Sequence, residues 1–131
     1  LAGEDITVLP ISDYIDLPSN GIITNEKVIK EQPELVRALV GATLRGLADT
    51  LKDPDAAFEI SLRAVPEAGG ANAKVSRAIF DESLKLWQTG ADAVGRSDPE
   101  AWAKAAAFMK KSGLIQTDVA ATDLFTNDFV R

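Results

Sequence analysis

The hydrophobic pattern of the chain changes once, near Asn25. Before that point, ITVL at residues 6–9 and GIIT at residues 21–24 are short, apolar and rich in β-branched side chains. Such runs predict two short buried strands, and the prolines, serine, asparagine and glycine between them favour turns. After Asn25 the apolar residues recur every three or four positions, which is the period of an amphipathic helix.

The helical period and the start signals together predict four main helices. Their expected ranges are 33–52, 54–65, 73–88 and 98–112, followed by a short helix or turn within 119–130. Pro33, Pro54 and Pro99 suit the first helical position, and Gly113 is a natural C-terminal stop. Leu39 and Leu44 are expected in the core of the first helix.

Composition excludes several classes of function. The net charge of −6 and a pI of about 4.6 argue against nucleic acid and against a basic membrane patch. The chain has no cysteine and no histidine, which removes disulfides, thiolate metal sites and a Ser-His-Asp triad within these residues. It begins with Leu1 rather than methionine, so we expect a removed signal or a cut from a longer chain.

Three other motifs have ordinary structural explanations. GATLRG at Gly41–Gly46 has the outer spacing of a phosphate loop but lacks the following Lys-Ser/Thr, so close helix packing is the favoured interpretation. GGANAK at Gly69–Lys74 could bind an anion before a helix, although an interhelix connection is the simpler prediction. Trp87 and Trp102 are predicted core residues rather than ligand platforms. No carboxylate pair forms a catalytic motif.

The segment SDYIDLPSNG carries the candidate binding residues Asp13, Tyr14 and Asn20. They lie in the loop between the two predicted strands, and polar side chains held at strand ends commonly line binding clefts. Tyrosine adds a flat stacking surface with a hydroxyl group. Chemistry alone leaves two interpretations open, a ligand-binding loop and an ordinary turn.

The chain resembles the C-terminal part of bacterial NMT1/THI5-like substrate-binding proteins of ABC transporters. The resemblance lies in SDYIDLPSNGIITNEKVIKEQPELVRALVGATLRGLADTLKDPDAAFEI (Ser12 to Ile60), LWQTG (Leu86 to Gly90) and SGLIQTDVAATDLFTNDFV (Ser112 to Val130). It implies an α/β, helix-dominated portion of a two-lobed, type II-like periplasmic-binding-protein fold, with short strands and then four or five helices. Residues 1–24 would cross between the lobes, and residues 25–131 would complete the first lobe.

The resemblance also implies a function. The protein would be the extracytoplasmic solute-binding component of an ABC importer, in the periplasm or lipid-anchored at the outer face of the membrane. It would bind a small heteroaromatic molecule, such as a thiamine pyrimidine precursor or riboflavin, and deliver it to a permease. Asp13 and Tyr14 would line the cleft, and Asn20 would lie at or beside the hinge. The other expected partners are the N-terminal part of the same protein and further copies of the chain.

No enzyme activity, cofactor or metal is expected. The pyrimidine-synthesising THI5-like relatives depend on histidine and cysteine elements that this sequence lacks. Two alternatives stay open: a fragment of such a synthase, and a helical protein–protein interaction domain.

Overall fold

A computed structural model describes residues 7–15, 17–18, 20–87 and 94–130. These residues form the helices α1 (Glu26–Glu31), α2 (Pro33–Lys52), α3 (Pro54–Ala64), α4 (Ala73–Trp87) and α5 (Pro99–Lys111). Short 3₁₀ turns occupy Ile11–Asp13, Pro66–Ala68, Gly70–Asn72 and Ala121–Asp123. The expected helix-dominated fold is confirmed, and the four predicted main helices are present with nearly the expected bounds; Gln88 lies outside the described residues.

Helix α1 was missed because its signal is short. The Asn25 side chain accepts a hydrogen bond from the Val28 N–H at 2.9 Å, which satisfies one of the free amides at the start of the helix. Gln32 then leaves the helical region, with φ −133° and ψ 49°. It precedes Pro33, whose ring disfavours the α conformation in the residue before it, so α1 ends and α2 begins anew.

Two later helices begin with acidic caps. The Asp53 carboxylate accepts from the Ala56 N–H at 3.1 Å, and the Asp98 carboxylate accepts from the Glu100 N–H at 3.0 Å. Pro54 and Pro99 occupy the first positions of α3 and α5, where no N–H is needed. Side-chain caps and prolines therefore set the starts of both helices.

The prediction of two strands is wrong for the described residues. Residues 7–9 and 21–24 form no strand, and Ile6 lies outside the described part of the chain. Their apolar side chains are exposed, with Ile23 at 93%. A strand is stabilised by hydrogen bonds to a neighbouring strand, and the described residues supply no such neighbour to either run. The β-branched composition indicated a preference for the strand conformation, whereas a strand also requires hydrogen bonds to a neighbouring strand.

The described residues divide into two units, which include 38–87 with Val94, and 7–37 with 95–130. The boundary falls within α2, after Arg37. In the first unit, Phe58 of α3 and Leu84 of α4 are buried. The ring of Phe58 lies 5.4 Å from that of Phe80, measured between centroids, in a tilted arrangement.

Arg77 connects α3 and α4 within that unit. Its guanidinium donates to the Asp55 carboxylate at 2.6 Å and to the Asp81 carboxylate at 2.8 Å. It also lies 5.3 Å from the ring centroid of Phe58 and 5.9 Å from that of Phe80. The hydrogen bonds to Asp55 and then to Asp81 raise the pKa of Arg77 above its ordinary value. One cation thereby joins both helices through charge and ring contacts.

The apolar side chains of α2 divide into an inner and an outer set. Val40, Leu44, Leu47 and Leu51 are half-buried, whereas Leu39 is 53% exposed. The prediction that Leu39 belongs to the core is therefore wrong, while Leu44 is on the inward side. Both sets have helical spacing, so periodicity alone could not tell which one faces the other helices.

In the second unit, residues near the C-terminal end pack against earlier parts of the chain. The Phe125 ring stacks on Trp102 with centroids 5.8 Å apart, and Phe129 is buried with Arg37 lying 5.5 Å from its ring centroid. The Asn127 side chain accepts from the Ser97 N–H at 2.8 Å and donates to the Ser97 carbonyl at 2.9 Å. The predicted short helix or turn within 119–130 is present as the 3₁₀ turn Ala121–Asp123.

The first prediction separates the two kinds of leucine. Leu84→Ala should lower the free energy of unfolding by roughly 2–5 kcal/mol, because it opens a cavity in a buried site. Leu39→Ala should lower the free energy of unfolding by less than about 1 kcal/mol, since this side chain is largely exposed already. Urea titrations followed by circular dichroism measure both, and equal losses would contradict the assignment of Leu39 to the outer side of α2.

The second prediction concerns Arg77. Arg77→Met keeps an aliphatic stem but removes the charge, so it should lower the urea midpoint, and added salt should reduce the difference from the unmodified protein. The matched control is Arg63→Met on α3, an exposed arginine outside the aromatic cluster, which should leave the midpoint nearly unchanged. Equal shifts for both variants would show that the cluster adds nothing to stability.

Candidate functional site

The segment with Asp13 and Tyr14 folds into a tight turn. Pro10 has φ −64° and precedes the 3₁₀ turn Ile11–Asp13. The Asp13 N–H donates to the Pro10 carbonyl at 3.2 Å, and the amides of Tyr14 and Ile15 both donate to the Ile11 carbonyl at 2.9 Å. These backbone bonds hold Asp13 and Tyr14 side by side at the end of one turn.

Both side chains are presented outward. Tyr14 is 78% exposed, and Ile11, in the same turn, is also largely exposed. The Asp13 carboxylate is exposed and accepts no hydrogen bond within the described part of the chain. The turn thus offers a flat ring that can stack, an aliphatic contact and an acceptor for N–H or O–H groups.

Asn20 is not brought against this pair. It lies in a separate bend and is exposed, and no hydrogen bond joins it to Asp13 or Tyr14 among the described residues. Asp16 and Ser19, between the two positions, lie outside that description. The predicted trio is therefore an adjacent pair plus one residue further along the chain, and its role as a binding site stays a prediction.

The glycine motifs lie in helical and turn structure. Gly41 and Gly46 are inside α2, so GATLRG does not form a phosphate loop. The segment Gly69–Lys74 runs through a 3₁₀ turn into α4, with Gly70 at φ +56°, and forms the predicted interhelix connection. The expected close packing around the α2 glycines is absent at Gly46, where an added Cβ would meet nothing within 4 Å.

One groove was not anticipated from the sequence. It has a volume of about 240 Å³ and lies in the second unit, between α5 and the following loop. Ala103, Ala106 and Ala107 form one side of it, and the Lys110 ammonium is paired with the Asp118 carboxylate at its edge. The run of alanines in α5 was the available signal, because small side chains leave space beside a helix. The groove contains none of the three predicted binding residues.

Among the described residues, no group of three or more acidic side chains is arranged to hold a metal ion. In the same part of the chain, no helix has both the length and the apolar character needed to cross a bilayer.

Comparison with known proteins confirms the family resemblance. The NMT1/THI5-like family model matches residues 1–57, which contain the Asp13–Tyr14 turn. Riboflavin-binding protein RibY of Chloroflexus aurantiacus is 41% identical over 131 residues, which cover 98% of this chain and 37% of RibY. The chain thus resembles the NMT1/THI5-like family over residues 1–57, and it spans little more than a third of the length of this curated relative. No solved structure matches it significantly.

The third prediction tests whether the Asp13–Tyr14 turn serves stability. Tyr14→Ala should leave the urea midpoint unchanged, because the ring is mostly in solvent and the turn is held by backbone bonds. Phe129→Ala serves as the contrasting variant, since that ring is buried. A large loss of stability in Tyr14→Ala would assign the ring a structural role and weaken its candidacy for binding.

Proposed function

We propose that this chain is part of the solute-binding component of an ABC importer. The observation that carries the proposal is its 41% identity, along 98% of its length, to a protein named for binding riboflavin. The complete protein would close two lobes around a small molecule outside the cytoplasm and present it to a permease. Such closure is a hinge motion that the solute biases by contacting both lobes, and it requires no covalent chemistry.

The proposed solute is a small heteroaromatic molecule, either riboflavin or a thiamine pyrimidine precursor. Both offer a flat ring for Tyr14 and N–H or hydroxyl groups for the Asp13 carboxylate, and both side chains are exposed on one turn. Asn20, further along the same segment, is proposed to lie at or beside the hinge. Residues 1–24 would then be the crossing between lobes, and residues 25–131 would complete the first lobe.

Enzymatic turnover is not part of this proposal. The relative is named as a binding protein, and the present residues contain neither histidine nor cysteine. If the complete gene product converted one of the candidate solutes to another compound, the synthase interpretation would replace the transport one.

The fourth prediction is a calorimetric titration of the complete product of the encoding gene. Riboflavin, a thiamine pyrimidine precursor and taurine are the test solutes, and one of the two heteroaromatic compounds should bind. Tyr14→Ala should weaken that binding by about 1–3 kcal/mol, if stacking on it resembles the stacking of a base on an aromatic side chain. Asp13→Asn should weaken it through loss of a charge-assisted hydrogen bond.

Lys104→Ala on α5 is the control, and it should leave the affinity unchanged. Binding of none of the solutes would make the proposed class of ligand wrong. Equal affinities for the unmodified protein and for both the Tyr14 and Asp13 variants would make the site wrong while leaving the transport role in place.

A further inference from the structure

The dipeptide Asn20–Gly21 combines two features that make an asparagine chemically reactive. The side-chain amide carbon of an asparagine, Cγ, is placed so that the backbone nitrogen of the next residue can attack it and close a five-membered ring. A side chain on that next residue obstructs the attack, and glycine carries none. The other three asparagines of the sequence precede Glu26, Ala73 and Asp128. Asn20 is therefore the one asparagine of the chain with an unobstructed neighbour.

The described contacts leave this pair unrestrained. Asn20 lies in a bend and is exposed, and Gly21 follows it in exposed, irregular backbone. No hydrogen bond among the described residues involves the Asn20 side chain or the Gly21 N–H. A Cβ built on Gly21 would meet no atom within 4 Å. Ring closure requires the Asn20 backbone to rotate until the Gly21 nitrogen reaches the side chain, and none of the described contacts opposes that rotation.

The other three asparagines have hydrogen-bonded side chains. Asn25 caps α1 with its side-chain oxygen, and the Asn72 amide donates to the Glu67 carbonyl at 3.0 Å. The Asn127 side chain is bound to both backbone groups of Ser97, at 2.8 and 2.9 Å. A side chain held in this way cannot turn toward the following amide without losing its hydrogen bonds. These three residues provide internal reference rates for Asn20.

We infer that Asn20 is a site of spontaneous deamidation. The Gly21 nitrogen bonds to Asn20 Cγ and gives up its proton, and the side-chain nitrogen leaves as ammonia. The product is a cyclic imide that contains both the side-chain and the backbone carbonyl of residue 20. Water then breaks one of the two C–N bonds of the ring: cleavage at the side-chain carbonyl gives aspartate, and cleavage at the backbone carbonyl gives isoaspartate. Water is the only co-reactant that the sequence of steps requires.

Either product changes the segment that carries the candidate binding residues. Both replace a neutral amide with a carboxylate, in a chain whose net charge is already −6. Isoaspartate also adds one methylene group to the main chain, because the chain then runs through the side chain of residue 20. Under the proposed function, with Asn20 at or beside the hinge, the modification would change the hinge as molecules age. The modification itself does not rest on that function.

The test incubates the complete product of the encoding gene, in its folded state, at neutral and at mildly alkaline pH. Proteolysis and mass spectrometry then measure the deamidated fraction of each asparagine over time. Asn20 should deamidate about tenfold faster than Asn72 and Asn127, or more, because only its neighbour lacks a Cβ. The rate should rise with pH, since the attacking nitrogen must lose its proton. Equal rates for the three residues, or deamidation of Asn20 only after unfolding in urea, would overturn the inference.

Gly21→Ala is the matched variant. Gly21 is not among the glycines with positive φ, and an added Cβ has open space there, so alanine fits without strain. The variant should slow the deamidation of Asn20 several-fold, and an unchanged rate would contradict the attack by the Gly21 nitrogen.

The products identify the route. Aspartate and isoaspartate found together at residue 20 support the cyclic imide, whereas aspartate alone would indicate direct hydrolysis of the side-chain amide and overturn the inference. None of these measurements uses a solute. Failure of the proposed function in the calorimetric titration is therefore distinguishable from failure of this inference.

Discussion

The free N–H groups at the start of each helix are the constraint on which the described architecture depends. Asn25, Asp53 and Asp98 each supply a side-chain oxygen to such a group, at 2.9 to 3.1 Å. Helices α2, α3 and α5 begin with Pro33, Pro54 and Pro99, which have no N–H group that needs a partner. Together these short-range signals divide a strongly helical sequence into separate helices.

A few polar groups then join segments that are distant in the sequence. In the first unit Arg77 meets two carboxylates and two aromatic rings, and in the second Asn127 holds both backbone groups of Ser97. Such groups connect residues 22 to 30 positions apart in sequence. Beside them, apolar side chains such as Leu39 and Ile23 stay in contact with water. Exposed apolar surface of this kind commonly marks an interaction site, which agrees with a chain that matches only part of its relative.

The backbone of the Asp13–Tyr14 turn is held by local hydrogen bonds, whereas the Tyr14 ring is mostly exposed and the Asp13 carboxylate accepts no hydrogen bond among the described residues. Residues whose side chains serve neither core nor cap are free to serve recognition. The family match over residues 1–57 includes the turn, and the role of the turn in binding stays a prediction.

Local signals in the sequence were sufficient for the four main helices, the stop at Gly113 and the turn character of residues 10–14, but not for the short helix α1. Each depends on atoms only a few positions apart, so the sequence determines it directly. The partition of α2 into an inner and an outer face, the Arg77 cluster and the absence of strands at 7–9 and 21–24 required the tertiary structure. The physical reason is the same in each case: burial and strand pairing are properties of two surfaces, and a sequence pattern describes only one of them.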